Sequence, residues 1–524
     1  MELIKQILKK RRIDETWFEY DESDILDPKT MLNLDKAHKR IEKAIKQGEQ
    51  IAISADIDPD GVTSSVSLYR ALIHFGAKKE NVRILRHNRG KGHGIKYQVE
   101  QIDGESLLII CDSSTNDVDT CEELSDWMDI IILDHHEVEE KNPHVLLVNP
   151  QQSGCGYKNK HISAATVVYH LVQLFDEVHE DWFADQIVDL TMLGMVADVV
   201  DMKKKSNRAI VKKGLDSIQN VGLSEMVRKK NAMTKSLKTS DVAFNIIPAI
   251  NSALRYGEEE KVFELFLEED AAVARKISNS LFLQARKRKA ALTDALKDVT
   301  ILSSENVIIG VMSQEGETNS SLNGVIAQKL ASEYKRPAIL LNANKKGYGG
   351  SLRSYSGFDL RGYLLESELC TYVSGHAEAA GIGVLEEKLA ELLEYIKNNS
   401  ITLKKIVQYD LEVSELTAEM IAEIAELNKV TGNRFESIKV KLKSPVQQFE
   451  LFGSDKNHGR LSINDFIAVK FFVSEDDEIT QIKSGDVAEI IGEPSVNRWY
   501  HGGYKKVIVD HQILIDEVNK VELG

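Results

Sequence analysis

At 524 residues, with 42% hydrophobic residues and 8 prolines, the chain is too long for one ordinary domain and too apolar for a disordered one. A formal charge of −16 argues against coating long nucleic acid through bulk electrostatics, although carboxylates that hold divalent cations would reverse the field locally. No apolar stretch approaches the ~20 residues that cross a bilayer, and the opening MELIKQILKKRRIDE lacks a secretory core. The 4 cysteines (Cys111, Cys121, Cys155, Cys370) form no CxxC pair, so neither a disulfide framework nor a zinc ribbon is expected, and cytoplasmic residence without a membrane is the default.

In chain order, the opening 50 residues end in the helical LDKAHKRIEKAIKQGEQ, with Leu34, Ile41 and Ile45 available for packing. IAISAD then reads as a strand, TSSVSLYRALIHFG as a helix and NVRILRHN as a strand. SLLIICDSS and MDIIILDHH are further apolar runs that end in acidic or imidazole groups, followed by the helix SAATVVYHLVQLF and the segment DLTMLGMVADVVDM. Strands alternating with helices predict a mainly parallel sheet covered on both faces, with ligands at the carboxyl ends of its strands. Residues 205–305 read as helical, with a long connector in EEDAAVARKISNSLFLQARKRKAALTDALKD. A second α/β unit covers 306–398, and SIKVKLK, DFIAVKFF, DVAEIIG and KKVIVDHQILI predict a small OB-like β-barrel over 405–524. Residues 1–50 are an extension packing on a catalytic domain at 51–204.

The chemistry concentrates at strand ends. Asp56, Asp58 and Asp60 alternate beside Gly61 and would repel one another strongly without cations between them. DIDPDG also satisfies the opening of a calcium-binding EF-hand loop, but the twelfth position holds Ser67 rather than a bidentate Glu, and a strand precedes it. Phosphodiester hydrolysis needs a deprotonated water, charge neutralisation and help for the leaving oxygen, which two divalent ions ~3.5–4 Å apart supply. Asp58 and Asp60 are the leading ligands, Asp112 a bridging carboxylate and His135 a nitrogen ligand. His136 is either a ligand or a donor to phosphate, and Asp198 closes the cluster from a separate strand. Asp134 orients an imidazole, Asp56 contacts one metal or positions the water, and His161 either touches substrate or starts a helix. Oxygen ligands favour Mg²⁺ or Mn²⁺, and the imidazoles lean towards manganese.

With ADIDPDGVTS, CDSS, LDHHEV and GMVADVVDM in this order, the chain resembles the DHH phosphoesterase superfamily, and most closely the RecJ-type single-strand exonucleases, over nearly its whole length. The resemblance implies a DHH catalytic domain, a helical connector, a DHHA1 domain and an OB-like domain. It carries the metal ligands to Asp58, Asp60, Asp112, His135 and Asp198, with Asp56 and His136 close by. INSALRYGEE brings forward Asn251 and Arg255, and HNRGKGHGI nominates Arg89 and His93 as phosphate contacts. GGSLRSYSGFDL and VSGHAEAAGIG match the DHHA1 pattern, where Arg353 grips phosphate bidentately, Ser354 adds a hydroxyl and His376 binds phosphate or assists cleavage. The implied machine is a cleft with metals on one wall and an arginine clamp on the other.

In the last domain Lys429, Arg434, Lys439, Lys441, Lys443, Lys456 and Arg460 are opposed locally by Glu436, Glu450 and Asp455 alone. Phe435, Phe449, Phe452 and Trp499 are candidates to stack on bases, and Arg498, Lys505 and Lys506 to track phosphates. SQEGETNSSLN at 313–323 lacks the family's Trp-His pair, NKVTGNRFE stands where a Pro-Phe-Gly element is usual, and CDSST replaces an Asp-Cys-Gly stretch. These departures suit a divergent member carried by a virus or mobile element. The expected activity is 5′-to-3′ hydrolysis of single-stranded DNA to 5′-mononucleotides with two Mn²⁺ or Mg²⁺ ions. RNA or short oligonucleotides are alternative substrates, as for a nanoRNase or cyclic-dinucleotide phosphodiesterase, and a non-catalytic replication scaffold is a third reading. A monomer is expected, with a single-strand-binding protein or helicase as the kind of protein partner.

Overall fold

The computed structural model describes residues 2–14, 19–87, 92–234, 237–303, 306–312, 323–403, 409–501 and 506–521. Arg89, Lys505 and residues 313–322 of the divergent segment therefore lie outside the described residues. The chain forms two compact units, one of residues 1–285 with 408–524 and one of residues 286–407.

The first unit is built around a five-stranded sheet of β1 (Ile51–Ala55), β2 (Val82–Leu85), β3 (Leu107–Cys111), β4 (Asp129–Leu133) and β5 (Leu146–Val148), in the order β2-β1-β3-β4-β5. All neighbours are parallel, and β1 and β3 are buried along their full length. Period-two alternation sends Ile53, Ile109 and Ile131 into a core with the helices Pro59–His74, Ala164–His179 and Ala184–Ala197. Ala52, Leu108 and Ile130 enter a smaller core on the other face with Cys121 and Leu124. Continuous apolar runs are what a parallel sheet covered on both sides requires. The helix Leu34–Gln47 buries Leu34, Ala37, His38, Ile41 and Ala44 against the larger core.

Asp198 does not follow a strand. DLTMLGMVA is the second half of the helix Ala184–Ala197, which buries Ile187 through Met195 on all sides. It packs against the helices Pro59–His74, Ala164–His179 and Lys205–Asp216. A helix enclosed on every face loses its amphipathic signal, which is why the run reads as a strand.

The second unit holds a sheet of β6 (Val299–Ser303), β7 (Ile308–Met312), β8 (Ala338–Asn344), β9 (Gly347–Arg353), β10 (Cys370–Gly375) and β11 (Ala379–Leu385), ordered β10-β11-β9-β8-β7-β6. Within this sheet, among the described residues, only β7 and β8 pair in parallel. The helix Ala271–Ala295 runs through the division between the units.

The end of the chain returns to the first unit as an OB-like sheet of β12 (Leu411–Val413), β13 (Val440–Pro445), β14 (Gln448–Phe452), β15 (His458–Ile463), β16 (Phe466–Lys470), β17 (Val487–His501) and β18 (Lys506–Val521). Its order is β12-β13-β17-β18-β16-β15-β14. The helix Ala418–Leu427 packs on β17 and β18. Phe435, expected to stack on bases, is fully buried between the guanidiniums of Arg11 and Arg208, at 4.7 and 5.0 Å from its ring centre. The basic stretch is also less free than its local sequence implies. Strand register sets Glu489 opposite Lys443, and this carboxylate pairs with Lys443 at 3.3 Å and with Lys441 at 3.1 Å. Lys439 pairs with Asp516, Lys429 with Glu426 and Arg460 with Glu450. The indole nitrogen of Trp499 donates to Asp510 at 2.6 Å.

Candidate metal centre

Three aspartates sit one residue beyond three adjacent strands. Each backbone amide extends the ladder: Asp56 N donates to Cys111 O at 3.4 Å, Asp112 N to Leu133 O at 3.0 Å and Asp134 N to Val148 O at 3.1 Å. Parallel neighbours are about 4.8 Å apart, so the sheet itself brings these acids together. Asp112 takes a left-handed backbone, φ 67°, which turns its side chain out of the alternation of β3.

The helix Pro59–His74 opens directly after β1. Asp58 is its N-cap, and its Oδ1 accepts from the amides of Asp60 and Gly61 at 3.0 and 3.1 Å. Asp60, in the first turn, points at the start of the helix Ala164–His179 and accepts from the amides of Ala164 and Ala165 at 2.7 and 3.1 Å. Two helix N-termini thus hold acids whose charges would otherwise repel. Gly194 leaves the room for this: a Cβ there would stand 2.4 Å from Asp60 Oδ1 and 2.8 Å from the Ala165 methyl.

Asp134 is fully buried and organises the two histidines that follow it. Its Oδ1 accepts from His136 Nδ1 at 2.7 Å and from His135 N at 2.7 Å, while Oδ2 accepts from Thr115 Oγ1 at 2.6 Å. Asn149 Nδ2 donates to the His136 carbonyl at 2.9 Å and to Thr115 Oγ1 at 3.1 Å. The sequence motifs do not nominate Thr115 or Asn149; the signal for Asn149 is the apolar run LLV just before it, which forms β5. His135 turns inward, with Nε2 3.2 Å from Asp112 Oδ1 and 3.9 Å from Asp60 Oδ2, and Nδ1 3.7 Å from Asp198 Oδ2.

Asp198 ends the helix Ala184–Ala197 in a Schellman turn. Asp198 N donates to Gly194 O at 2.9 Å, Val199 N to Val196 O at 3.4 Å and Val200 N to Met195 O at 3.2 Å. The left-handed position of this turn normally takes glycine, but here it is Val199 at φ 58°. A β-branched residue held there carries strain of roughly 1–3 kcal/mol.

Two donor groups result, each with ligand atoms within 4.8 Å of one another: Asp56, Asp58 and Asp112 in one, Asp60, His135 and Asp198 in the other. Asp112 also groups with Asp134, His135 and His136, so it stands between the two. Burial, then the Asp58 charge, pushes Asp60 up to about 7. Burial, then Asp60 and Asp58, pushes Asp198 up to about 8 and Asp112 well above the carboxylate range. Burial thus favours the protonated form of Asp60, Asp112 and Asp198 in the metal-free fold, and a divalent cation would replace those protons. Burial lowers His135 to about 4, so its ring is neutral and offers a lone pair. Carboxylate oxygens with one neutral imidazole fit Mg²⁺ or Mn²⁺. His136 differs: its hydrogen bond to Asp134 outweighs burial and raises it to about 9, leaving a cationic ring that is 57% exposed. Burial would raise Asp134, but the His136 bond and charge hold it below the ordinary range.

Among the other nominated residues, His93 joins the centre, its Nδ1 2.9 Å from Asp56 Oδ2. His161 precedes the helix N-cap Ser163, its ring is exposed, and its carbonyl accepts from Asn207 Nδ2 at 2.7 Å. Asn251 and Arg255 lie on the helix Ile247–Arg255, with Arg255 exposed at its end. Arg353, Ser354 and His376 belong to the second unit. There Arg353 ends β9 opposite Ala379, and His376 forms the turn into β11, with its amide donating to Ala379 O at 2.9 Å. Burial lowers the Arg353 guanidinium, whose Nη1 donates to Leu352 O at 2.7 Å. The Ser354 hydroxyl donates to the Phe358 carbonyl.

The model of the DHH family, N-terminal domain, matches residues 50–195, that of the DHHA1 domain residues 304–400 and that of the RecJ OB domain residues 407–511. The chain belongs to the DHH superfamily, whose members are phosphoesterases, and is a homologue of the RecJ-type single-stranded-DNA-specific exonucleases. It is 27% identical to the putative SPbeta prophage-derived single-strand DNA-specific exonuclease YorK of Bacillus subtilis (strain 168), over 94% of this chain and 92% of that protein. It is 26% identical to the single-stranded-DNA-specific exonuclease RecJ of Thermus thermophilus, over 93% of this chain and 72% of that one. The crystal structure of the Thermus thermophilus RecJ in complex with Mn²⁺ has the same fold, with a TM-score of 0.71, 22% identity and coverage of 94% of this chain and 72% of that one. A crystal structure of exonuclease RecJ bound to manganese matches at a TM-score of 0.54 and 27% identity, over 70% of this chain and 94% of that one. Among the described residues no helix is long and apolar enough to cross a membrane.

Proposed function

We propose that the chain hydrolyses single-stranded DNA from its 5′ end and releases 5′-mononucleotides, using two Mn²⁺ or Mg²⁺ ions. The observation that carries this reading is the position of Asp112 between the Asp56–Asp58 group and the Asp60–His135–Asp198 group. Bound there, the ions supply an activated water and neutralise charge on the attacked phosphoryl group. RecJ relatives described as specific for single-stranded DNA, and RecJ structures holding manganese or magnesium, support the substrate and the metals.

The protein's own residues divide the remaining work. A new bond from water to phosphorus forms as the bond to the 3′ oxygen of the terminal nucleotide breaks. His136, cationic at neutral pH, donates to a non-bridging phosphate oxygen and stabilises the charge that builds on it. Asp134 keeps that ring oriented and protonated. His93, held by Asp56, contacts the strand beside the centre. Within the second unit, Arg353 and His376 are phosphate-binding residues.

The test is a time course on strands of about thirty nucleotides labelled at either end, as DNA and as RNA. Labelled mononucleotide released first from the 5′-labelled DNA supports the proposal. Rapid turnover of di- to pentanucleotides with long strands untouched sinks it in favour of a short-oligonucleotide hydrolase.

A further inference from the structure

We propose that Asn433, on the C-terminal OB-like domain, is a positioning residue of the metal centre: it clamps the turn that presents Asp198 to His135. The inference rests on the proposed metal centre and adds a residue from a different part of the chain. Asn433 Nδ2 donates to Val199 O at 3.0 Å, and Asn433 O accepts from Met202 N at 3.0 Å. The two bonds bracket the segment that follows Asp198. At the near end stands Val199, a β-branched residue in left-handed backbone with a side chain exposed to solvent. Packing of its own side chain therefore does little to hold that conformation, whereas Asn433 ties down its carbonyl. Val200, Asp201 and Met202 are buried.

The clamp is itself rigid. Gly432 and Phe435 exchange backbone hydrogen bonds of 2.8 and 3.0 Å, closing a tight turn with Asn433 near its tip. Phe435 anchors the turn between Arg11 and Arg208. Arg434 adds an ion pair to Asp201 at 3.4 Å. Gly432 lets the turn approach: a Cβ there would lie 2.8 Å from Met202 Cγ. At the other end, Asp198 Oδ2 stands 3.7 Å from His135 Nδ1, so a shift of the turn changes the spacing of the Asp60–His135–Asp198 donor group. Partners that orient metal ligands are worth about 10–100-fold in metal affinity.

The experiment is a calorimetric Mn²⁺ titration of the full chain, with thermal unfolding in EDTA as control, for wild type, Asn433→Ala, Asn433→Asp and Asp198→Asn. Asn433→Ala and Asn433→Asp, which both remove the donor to Val199, are expected to weaken manganese binding about tenfold while the melting temperature in EDTA stays unchanged. In a Val199→Gly background, where left-handed backbone is unstrained, Asn433→Ala is expected to lose less. If Asn433→Ala fails to fold, Asn433→Asp gives the same reading with side-chain size retained. Manganese affinity within twofold of wild type in the Asn433 variants overturns the inference. If Asp198→Asn also binds manganese like wild type, the metal-centre reading falls with it; if Asp198→Asn alone is impaired, that reading stands and only the role of Asn433 is lost.

Discussion

His136 Nδ1 and Asp134 Oδ1 lie 2.7 Å apart, with the carboxylate wholly buried and the ring largely exposed. This pair raises His136 to about 9. Because the folded-state value lies above the ordinary one near 6.5, the stabilisation it contributes is fully present below that value and is lost as pH rises through about 9. An alkaline limb near pH 9 in kcat/KM is expected. Asp134→Asn should move the limb down towards about 6.5, the ordinary histidine value. Initial rates across pH for both proteins check this; a limb that stays put removes His136 as the charged donor.

Asp60 and Asp198 are raised to about 7 and about 8 by burial and by the charge of neighbouring aspartates. At these two carboxylates the folded, metal-free protein binds protons that the unfolded chain has lost, so their contribution to stability is lost as pH rises from the ordinary carboxylate range through those values. In EDTA the melting temperature should fall as pH rises from about 4, the ordinary carboxylate value, to about 8, the higher of the two raised values, while excess Mn²⁺ widens the gap to the metal-free protein as pH rises. Calorimetry in buffers of different ionisation enthalpy should detect proton release on binding at neutral pH. No release, with metal affinity independent of pH, contradicts the electrostatic account.

Val199→Gly should stabilise the protein by about 1 kcal/mol, because glycine takes the left-handed turn position without a Cβ penalty. The side chain lost is 59% exposed, so little packing goes with it. A urea-unfolding midpoint below that of wild type contradicts the assignment of strain to this turn.

Gly194→Ala places a methyl 2.4 Å from Asp60 Oδ1 and 2.6 Å from Thr63 Oγ1. Asp60 cannot yield without disturbing its bonds from Ala164 and Ala165, nor Thr63 without disturbing its hydroxyl's bonds to the Pro59 and Asp60 carbonyls. A loss of about 1–3 kcal/mol in stability is expected from overpacking, together with weaker manganese binding. Thermal unfolding and metal titration read the two effects separately, and wild-type values in both refute the steric argument.

The parallel sheet and most of its acids are legible because IAISA and LLIIC are unbroken apolar runs that stop at a charge, which marks a buried strand and its carboxyl end. The helix before Asp198 is not, because burial on all sides erases the period that separates helix from strand. Phe435 reads as a base-stacking residue because its partners, Arg11 and Arg208, are far away in the chain. Likewise Glu489 neutralises Lys441 and Lys443 through strand register, which local charge counting does not see. The support given by Thr115, Asn149 and Asn433 depends on backbone geometry that side-chain type alone does not encode.

The most direct test of the central claim is the manganese content and electron paramagnetic resonance of wild type and Asp112→Asn. Asparagine tolerates the left-handed backbone at φ 67°, so the substitution removes the carboxylate charge between the two donor groups without a backbone penalty. Two manganese ions per chain with an exchange-coupled spectrum are expected for wild type. Asp112→Asn should lose the coupling and at least roughly 100-fold of the rate on single-stranded DNA. A single uncoupled ion in wild type, or coupling and rate unchanged in Asp112→Asn, contradicts a bridged two-metal centre at Asp112.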